Sequence, residues 1–234
     1  MDSLDYRKGI ILAGGTGERL KPITSAISKQ LLPVYDKPMI YYPLSILMLS
    51  GIKDILIITT KKDQKLFIEL LGNGSNWGVN FEYKIQQKPE GIAQALILGE
   101  EFLDGSPCAL ILGDNIFFGD GFCDVLLNAD QKGSAAQIFV HQVNKPEQYG
   151  VIELNSDGKI IGIVEKPEVP RSNLAVTGLY FFDSSASQLA RQLKPSQRGE
   201  LEITDLNLLY LKDNNLFFHE LGRGVAWFDA GTPS

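Results

Sequence analysis

The chain has 234 residues, 44% of them hydrophobic and 21% charged, with a formal net charge of −6. That composition describes a globular protein long enough to bury its own core, and the acidic balance argues against a nucleic-acid surface, which needs a basic face. It does not argue against a small anionic ligand held by a few cations in one cleft. No run of about 18 apolar residues reads as a membrane span. The polar start, Met1 to Lys8, does not read as a signal peptide, so a cytoplasmic protein away from membranes is expected. The two cysteines, Cys108 and Cys123, are expected to be free thiols. The two histidines, His141 and His219, lie far apart without cysteine partners and do not predict a zinc site.

In chain order, apolar runs rich in β-branched and aromatic residues predict strands at 9–13, 54–60, 79–86, 107–112 and 135–142. Apolar residues three and four apart predict helices at 39–49, 63–71, 92–103 and 121–131. This alternation predicts an α/β fold: a mainly parallel sheet with helices on both faces. From about Tyr149 the pattern turns to α+β. A hairpin at 151–154 and 159–164 closes on Asp157-Gly158, and a strand follows at 176–182. Asp183 could cap a helix running to Leu193. A helix at 203–211 and strands at 216–220 and 224–229 complete the chain. No low-complexity linker interrupts it. The expectation is one domain over 1–234, with lobes of about 1–145 and 146–234 around a cleft.

The chemistry starts where the first strand breaks into Gly14-Gly15-Thr16-Gly17, followed by Arg19, Lys21 and Lys29. Three glycines in four residues let the backbone turn sharply and bring its N–H groups close to a ligand. In open α/β sheets, ligands bind beyond the carboxyl ends of the strands. The cations that follow point to phosphate. The spacing matches neither G-x-x-x-x-G-K-S/T nor G-x-G-x-x-G, because Leu20 stands where the second pattern needs its last glycine.

Two more strands end in an aspartate: Leu112 leads to Gly113-Asp114, and Phe228 to Asp229-Ala230-Gly231. A single carboxylate at a strand end could be half of a magnesium site, since magnesium takes few carboxylates and completes its shell with water and phosphate oxygens. The other reading is that Asp114 simply opens a turn before Asn115. Trp227 reads as core more than as cleft wall. In Glu165-Lys166-Pro167 the proline predicts an extended backbone at Lys166.

Together the segments 9–44, Gly113-Asp114, Glu165-Lys166-Pro167, Arg198-Gly199-Glu200-Leu201-Glu202-Ile203-Thr204-Asp205 and Trp227-Phe228-Asp229-Ala230-Gly231-Thr232 resemble the sugar nucleotidylyltransferases. Within them the chain looks like those that act on glucose 1-phosphate with dTTP. The resemblance covers essentially the whole chain. It implies a Rossmann-like nucleotide-diphospho-sugar transferase fold with a smaller α+β sugar-binding lobe. It also implies a Mg2+-dependent transfer giving dTDP-glucose and pyrophosphate.

By the same resemblance, Gly14, Gly15, Thr16, Gly17, Arg19, Lys29, Gln30, Gln86, Gly91 and Asp114 bind the nucleotide, with Gln86 and Gly91 at the base. Asn115, Tyr149, Gly150, Glu165, Lys166, Val176 and Arg198 bind the sugar phosphate. Asp114 and Asp229 bind the metal. Arg19, Lys29, Asp114, Lys166, Arg198 and Asp229 are the catalytic set. No activated-nucleophile pattern is visible, which suits direct attack by an already ionised sugar phosphate. Another base or hexose phosphate, or a non-catalytic nucleotide-sugar-binding relative, are the alternatives. The family is homo-oligomeric and continues into a helical tail that this chain, ending at Ser234, is expected to lack, which puts assembly and feedback in question.

Overall fold

In the computed structural model, which describes residues 7–15, 17–130 and 135–231, successive residues of the first strand, β1 (Lys8–Ala13), face opposite ways. Ile10 enters one apolar core and Ile11 another, and both are fully buried. The chain continues through a short hairpin, β2 (Pro33–Val34) and β3 (Lys37–Pro38), to α1 (Tyr41–Leu49), β4 (Asp54–Thr59), α2 (Gln64–Leu71) and β5 (Asn80–Ile85). Next come α3 (Gln94–Leu98), α4 (Glu100–Leu103), β6 (Cys108–Leu112), β7 (Asn115–Gly119), α5 (Phe122–Asp130) and β8 (Ala136–Gln142). The second half holds β9 (Gly150–Leu154), β10 (Ile160–Glu165), β11 (Leu174–Phe182), α6 (Ala186–Ala190), α7 (Ile203–Lys212), β12 (Leu216–Glu220) and β13 (Val225–Asp229).

One nine-stranded sheet runs in the order β10-β9-β11-β6-β1-β4-β5, with β8 beside β11 and β12 beside β8. β6, β1, β4 and β5 are parallel neighbours, and β11 runs against β6, β8 and β9. The strand period of two sends Leu56, Ile58 and Leu110 to one face and Ile55, Ile57 and Ile111 to the other. Helices α3, α6 and α7 pack on the first face through Leu96, Ala190 and Leu206. Helices α1, α2 and α5 pack on the second through Leu47, Phe67 and Leu126. Each fully buried Ile or Leu contributes about 1.5–3 kcal/mol, so two such cores need no covalent staple. Cys108 and Cys123 are indeed unbonded. No helix among the described residues is long and apolar enough to cross a membrane.

Three local expectations change. The helix expected at 92–103 breaks at Gly99 into α3 and α4; a Cβ there would sit 2.7 Å from Ile10 Cδ1, so the glycine lets this joint lie close against β1. The helix after Asp183 stops at Ala190 rather than Leu193. Pro195 disfavours helical backbone at Lys194, so the last turn unwinds before it. β7 was not expected at all, and its pairing with β13 builds the site.

Candidate active site

β1 and β6 run in register, Leu12 opposite Leu112, and the Gly113 N–H donates to the Leu12 carbonyl at 2.9 Å. The glycine loop and Asp114 therefore leave the sheet along one edge. β13 lies antiparallel to β7 with Asp229 opposite Asn115, and the Ala230 N–H donates to the Asp114 carbonyl at 3.0 Å. That ladder brings together two carboxylates 115 positions apart in the chain (229 − 114). Burial, and then the charge of Asp114, hold the Asp229 carboxyl above the usual carboxylate range. The Gly231 N–H, 2.8 Å from Asp229 Oδ1, and the charges of Lys29 and Arg19 pull it partly back. Lys29 is only 7% exposed, and its ammonium bonds directly to Asp114 Oδ2.

The glycine loop is built for close approach. A Cβ on Gly14 would fall 2.0 Å from Gln86 Oε1. Gly17 takes φ 64°, and its carbonyl accepts the Thr24 hydroxyl at 2.7 Å. Gly15 meets nothing within 4 Å, leaving its surface open. Arg19 follows on a single 3-10 turn, Glu18–Leu20, and is exposed. Thr16 and Thr232 lie outside the described residues. Gln30 is turned inward, where it accepts the Ser28 hydroxyl at 2.6 Å and packs under Gly113.

Gln86 follows β5 and is 5% exposed. Gly91 takes φ 104°, and a Cβ there would strike the Leu201 carbonyl oxygen at 2.3 Å. On either side of it the Leu201 N–H donates to the Glu90 carbonyl at 2.7 Å, and the Ala93 N–H donates to the Leu201 carbonyl at 3.2 Å. The segment after Gln86 is thus stapled to the segment that carries Arg198.

A cavity of about 490 Å³ opens beside these carboxylates. Arg19, Asn115, Tyr149, Gly150, Glu165, Lys166, Val176, Arg198 and Asp229 line it. Gly14, Lys29, Gln86, Gly91 and Asp114 are not among its lining residues. β11 shifts register against β8 between Val176 and Tyr180, so Thr177 and Gly178 also reach the cavity wall.

Asn115, 1% exposed, is the hinge pin of this wall. Its Oδ1 accepts Trp227 Nε1–H at 2.6 Å and the Gly178 N–H at 3.0 Å, while its Nδ2 donates to Asp114 Oδ1 at 3.2 Å. Trp227 packs on the core and also faces the cavity, tilted against Tyr149 at 5.2 Å.

The opposite wall is charged. Arg198 donates to Glu202 at 2.8 Å and pairs with Glu165 and Glu200, each at 3.4 Å. Glu202 is 8% exposed; burial raises its carboxyl, but donation by Arg198 and Ser196 outweighs this and holds it below the usual range. The Thr204 hydroxyl donates to Glu165 Oε2 at 2.6 Å. Lys166 departs from the extended backbone that Pro167 predicts: it takes φ 45°, with its N–H held by the Tyr149 carbonyl at 3.0 Å. Such strain persists only where surrounding bonds impose it, and here it turns the side chain to the cavity wall.

In sequence, Glu202 and Thr204 stand where the helix expected at 203–211 begins, and neither is singled out as a site residue. Neither makes a side-chain cap to α7. A signal was available in Glu202 itself, an acidic residue four positions beyond Arg198. Gln94, which holds Gln86, was not singled out.

Among known proteins, the family model described as nucleotidyl transferase matches residues 8–234. A glucose-1-phosphate thymidylyltransferase of Xanthomonas campestris pv. campestris is 61% identical over 229 residues, covering 98% of this chain and 78% of the relative. A solved structure described as a glucose-1-phosphate thymidylyltransferase from Bacillus anthracis with sucrose superposes with a TM-score of 0.89 at 46% identity, over 97% of this chain and 90% of that one. UDP-glucose pyrophosphorylase with UDP-glucose superposes with a TM-score of 0.84 at 28% identity, over 97% and 94%.

Proposed function

We infer the workings of the cleft from the premise that this chain belongs to the nucleotidyl transferase family, and within it to the glucose-1-phosphate thymidylyltransferases. It joins dTTP to α-D-glucose 1-phosphate, giving dTDP-glucose and pyrophosphate. An oxygen of the sugar phosphate attacks the α-phosphorus of dTTP. A new P–O bond forms there as the bond to the β-phosphate oxygen breaks, and pyrophosphate leaves with the electron pair. No protein nucleophile is needed, so the work of the chain is positioning and charge neutralisation.

The observation that carries these assignments is the convergence of Arg19, Lys166, Arg198 and Asp229 on one cavity beside the Lys29–Asp114 pair. In our reading the N–H groups of Gly14 to Gly17 and the guanidinium of Arg19 receive the triphosphate. Lys29 neutralises Asp114 and keeps it oriented. Lys166 and Arg198 hold the sugar phosphate in line, and Glu165 takes sugar hydroxyls. Tyr149, Gly150 and Val176 shape the ring pocket.

The donor set at Asp114 and Asp229 fits a divalent cation. Two carboxylates meet there, and one is held high by burial and by the other. No group of three or more ligating side chains stands among the described residues, so substrate oxygens would complete the shell. When bound, Mg2+ would neutralise phosphate charge as it redistributes. Two free cysteines suit a reducing cytoplasm.

Purified protein should release pyrophosphate from dTTP only with glucose 1-phosphate present, and chelation of Mg2+ should abolish release. Undiminished release under chelation would overturn the metal assignment.

A further inference from the structure

Gln86 stands at the end of a chain of hydrogen bonds whose direction is set by its far end. Glu90 supplies both an obligate acceptor and an obligate donor to the Gln94 amide. Its carboxylate accepts Gln94 Nε2–H at 2.7 Å, and its own backbone N–H donates to Gln94 Oε1 at 3.2 Å. A carboxylate cannot donate and a backbone N–H cannot accept, so the Gln94 amide has one orientation only. Its oxygen then faces Gln86 and accepts Gln86 Nε2–H at 2.5 Å. A flipped Gln86 would set two carbonyl oxygens against each other. Gln86 Oε1 is thereby turned the other way, over Gly14, where it accepts no hydrogen bond among the described residues.

We propose that Gln94 and Glu90 are positioning residues that decide which class of pyrimidine the site accepts, by locking the Gln86 amide with its oxygen toward the base. This rests on the reading of Gln86 as the base-contacting residue. One Nε2 hydrogen is committed to Gln94; the other, with Oε1, forms a face of one donor and one acceptor. A keto pyrimidine offers a ring N3–H beside a carbonyl and matches that face. An amino pyrimidine offers an unprotonated N3 beside an amino group and meets Gln86 acceptor against acceptor. Only the reversed amide would take it, and Glu90, through Gln94, forbids the reversal.

The test compares kcat/KM for dTTP and dCTP in the intact enzyme. Gln94→Met, of similar shape but without the acceptor, should lower the dTTP-to-dCTP preference by about tenfold, the size of one hydrogen bond lost or gained. The change should fall on the KM for each nucleotide, with kcat for dTTP and KM for glucose 1-phosphate within about threefold of wild type. The exchange Glu90→Gln with Gln94→Glu keeps the direction of the chain, because a carboxylate at 94 still accepts from both neighbours. It should restore most of the preference. Exposed Glu90→Gln alone should give an intermediate loss, and it serves if Gln94→Met folds poorly. An unchanged preference in Gln94→Met and Glu90→Gln, with preference lost in Gln86→Ala, would overturn the orienting chain. An unchanged preference in Gln86→Ala as well would overturn the base-contacting role beneath it.

Discussion

Around Gly14 the cleft wall is bare backbone packed close against one buried amide, Gln86; around Arg198 it is a mesh of charges, one guanidinium shared among Glu165, Glu200 and Glu202. In the reading proposed above the first wall takes the nucleotide, and the N–H groups of Gly14 and Gly15 would meet phosphate with no Cβ in the way. The second has its cation paired with carboxylates, so a sugar phosphate bound there as proposed would have to compete with them for Arg198. On that proposal the first wall would gain selectivity from fixed amide geometry, the second from an exchange of ionic partners. Between them Asp229 lines the cavity and Asp114 pairs with Lys29, and burial together with the charge of Asp114 holds the Asp229 carboxyl above its usual range.

The largest effect expected is at that junction. Asp229→Asn should lower kcat by roughly 10²–10³, about 3–4 kcal/mol of transition-state stabilisation. The same variant should melt higher than wild type near neutral pH. A carboxyl whose folded-state pKa is raised binds its proton more tightly in the folded than in the unfolded state. Its ionisation therefore costs stability as pH rises through the window above the usual carboxylate range. Calorimetry across that window should show the advantage of Asp229→Asn shrinking as pH falls. An advantage independent of pH would assign the stabilisation elsewhere.

Gly91→Ala probes the joint between the two walls. Its φ of 104° and the 2.3 Å approach to Leu201 leave no room for a methyl group, so a loss of about 2–3 kcal/mol is expected. Because Leu201 ties both segments, KM should rise for dTTP and for glucose 1-phosphate together. A rise in one alone would show that the walls are built independently.

Arg198→Ala separates them. It removes a charge-assisted contact worth about 1.5–3 kcal/mol, so KM for glucose 1-phosphate should rise roughly tenfold or more while KM for dTTP stays near its wild-type value. The smallest effect is on the other wall. Gln86→Ala should cost only about 1 kcal/mol in dTTP binding, with kcat little changed, and its mark should be relaxed base choice. Steady-state kinetics with each substrate varied in turn read both.

Much of this was legible beforehand for physical reasons. Strand alternation and helical spacing are local, so the elements around both cores could be read, and helices do cover both faces of the sheet. Arg19 and Lys29 could be read because they follow a loop whose glycines announce themselves. β7 was hidden because Asn115 to Gly119 follows an aspartate that looks like a turn opener, and only β13 gives it a partner. The left-handed Lys166 ran against its proline because the Tyr149 carbonyl, not the local preference, holds it. Thr204 gave no sign of a site role because nothing nearby in sequence shows Glu165 waiting for its hydroxyl.

The amino-acid order alone determined the period of each element, the glycine turn after β1 and the aspartates ending two strands, because each depends on neighbours a few positions away. Tertiary structure decided which side chains meet: Asp114 with Asp229 through the β7–β13 register, Arg198 with its carboxylates, and Gln86 with Gln94 and Gly14. A strand's pattern says which face it buries but not which strand lies beside it. Pairing is settled only when the whole sheet closes and every buried polar group finds its partner.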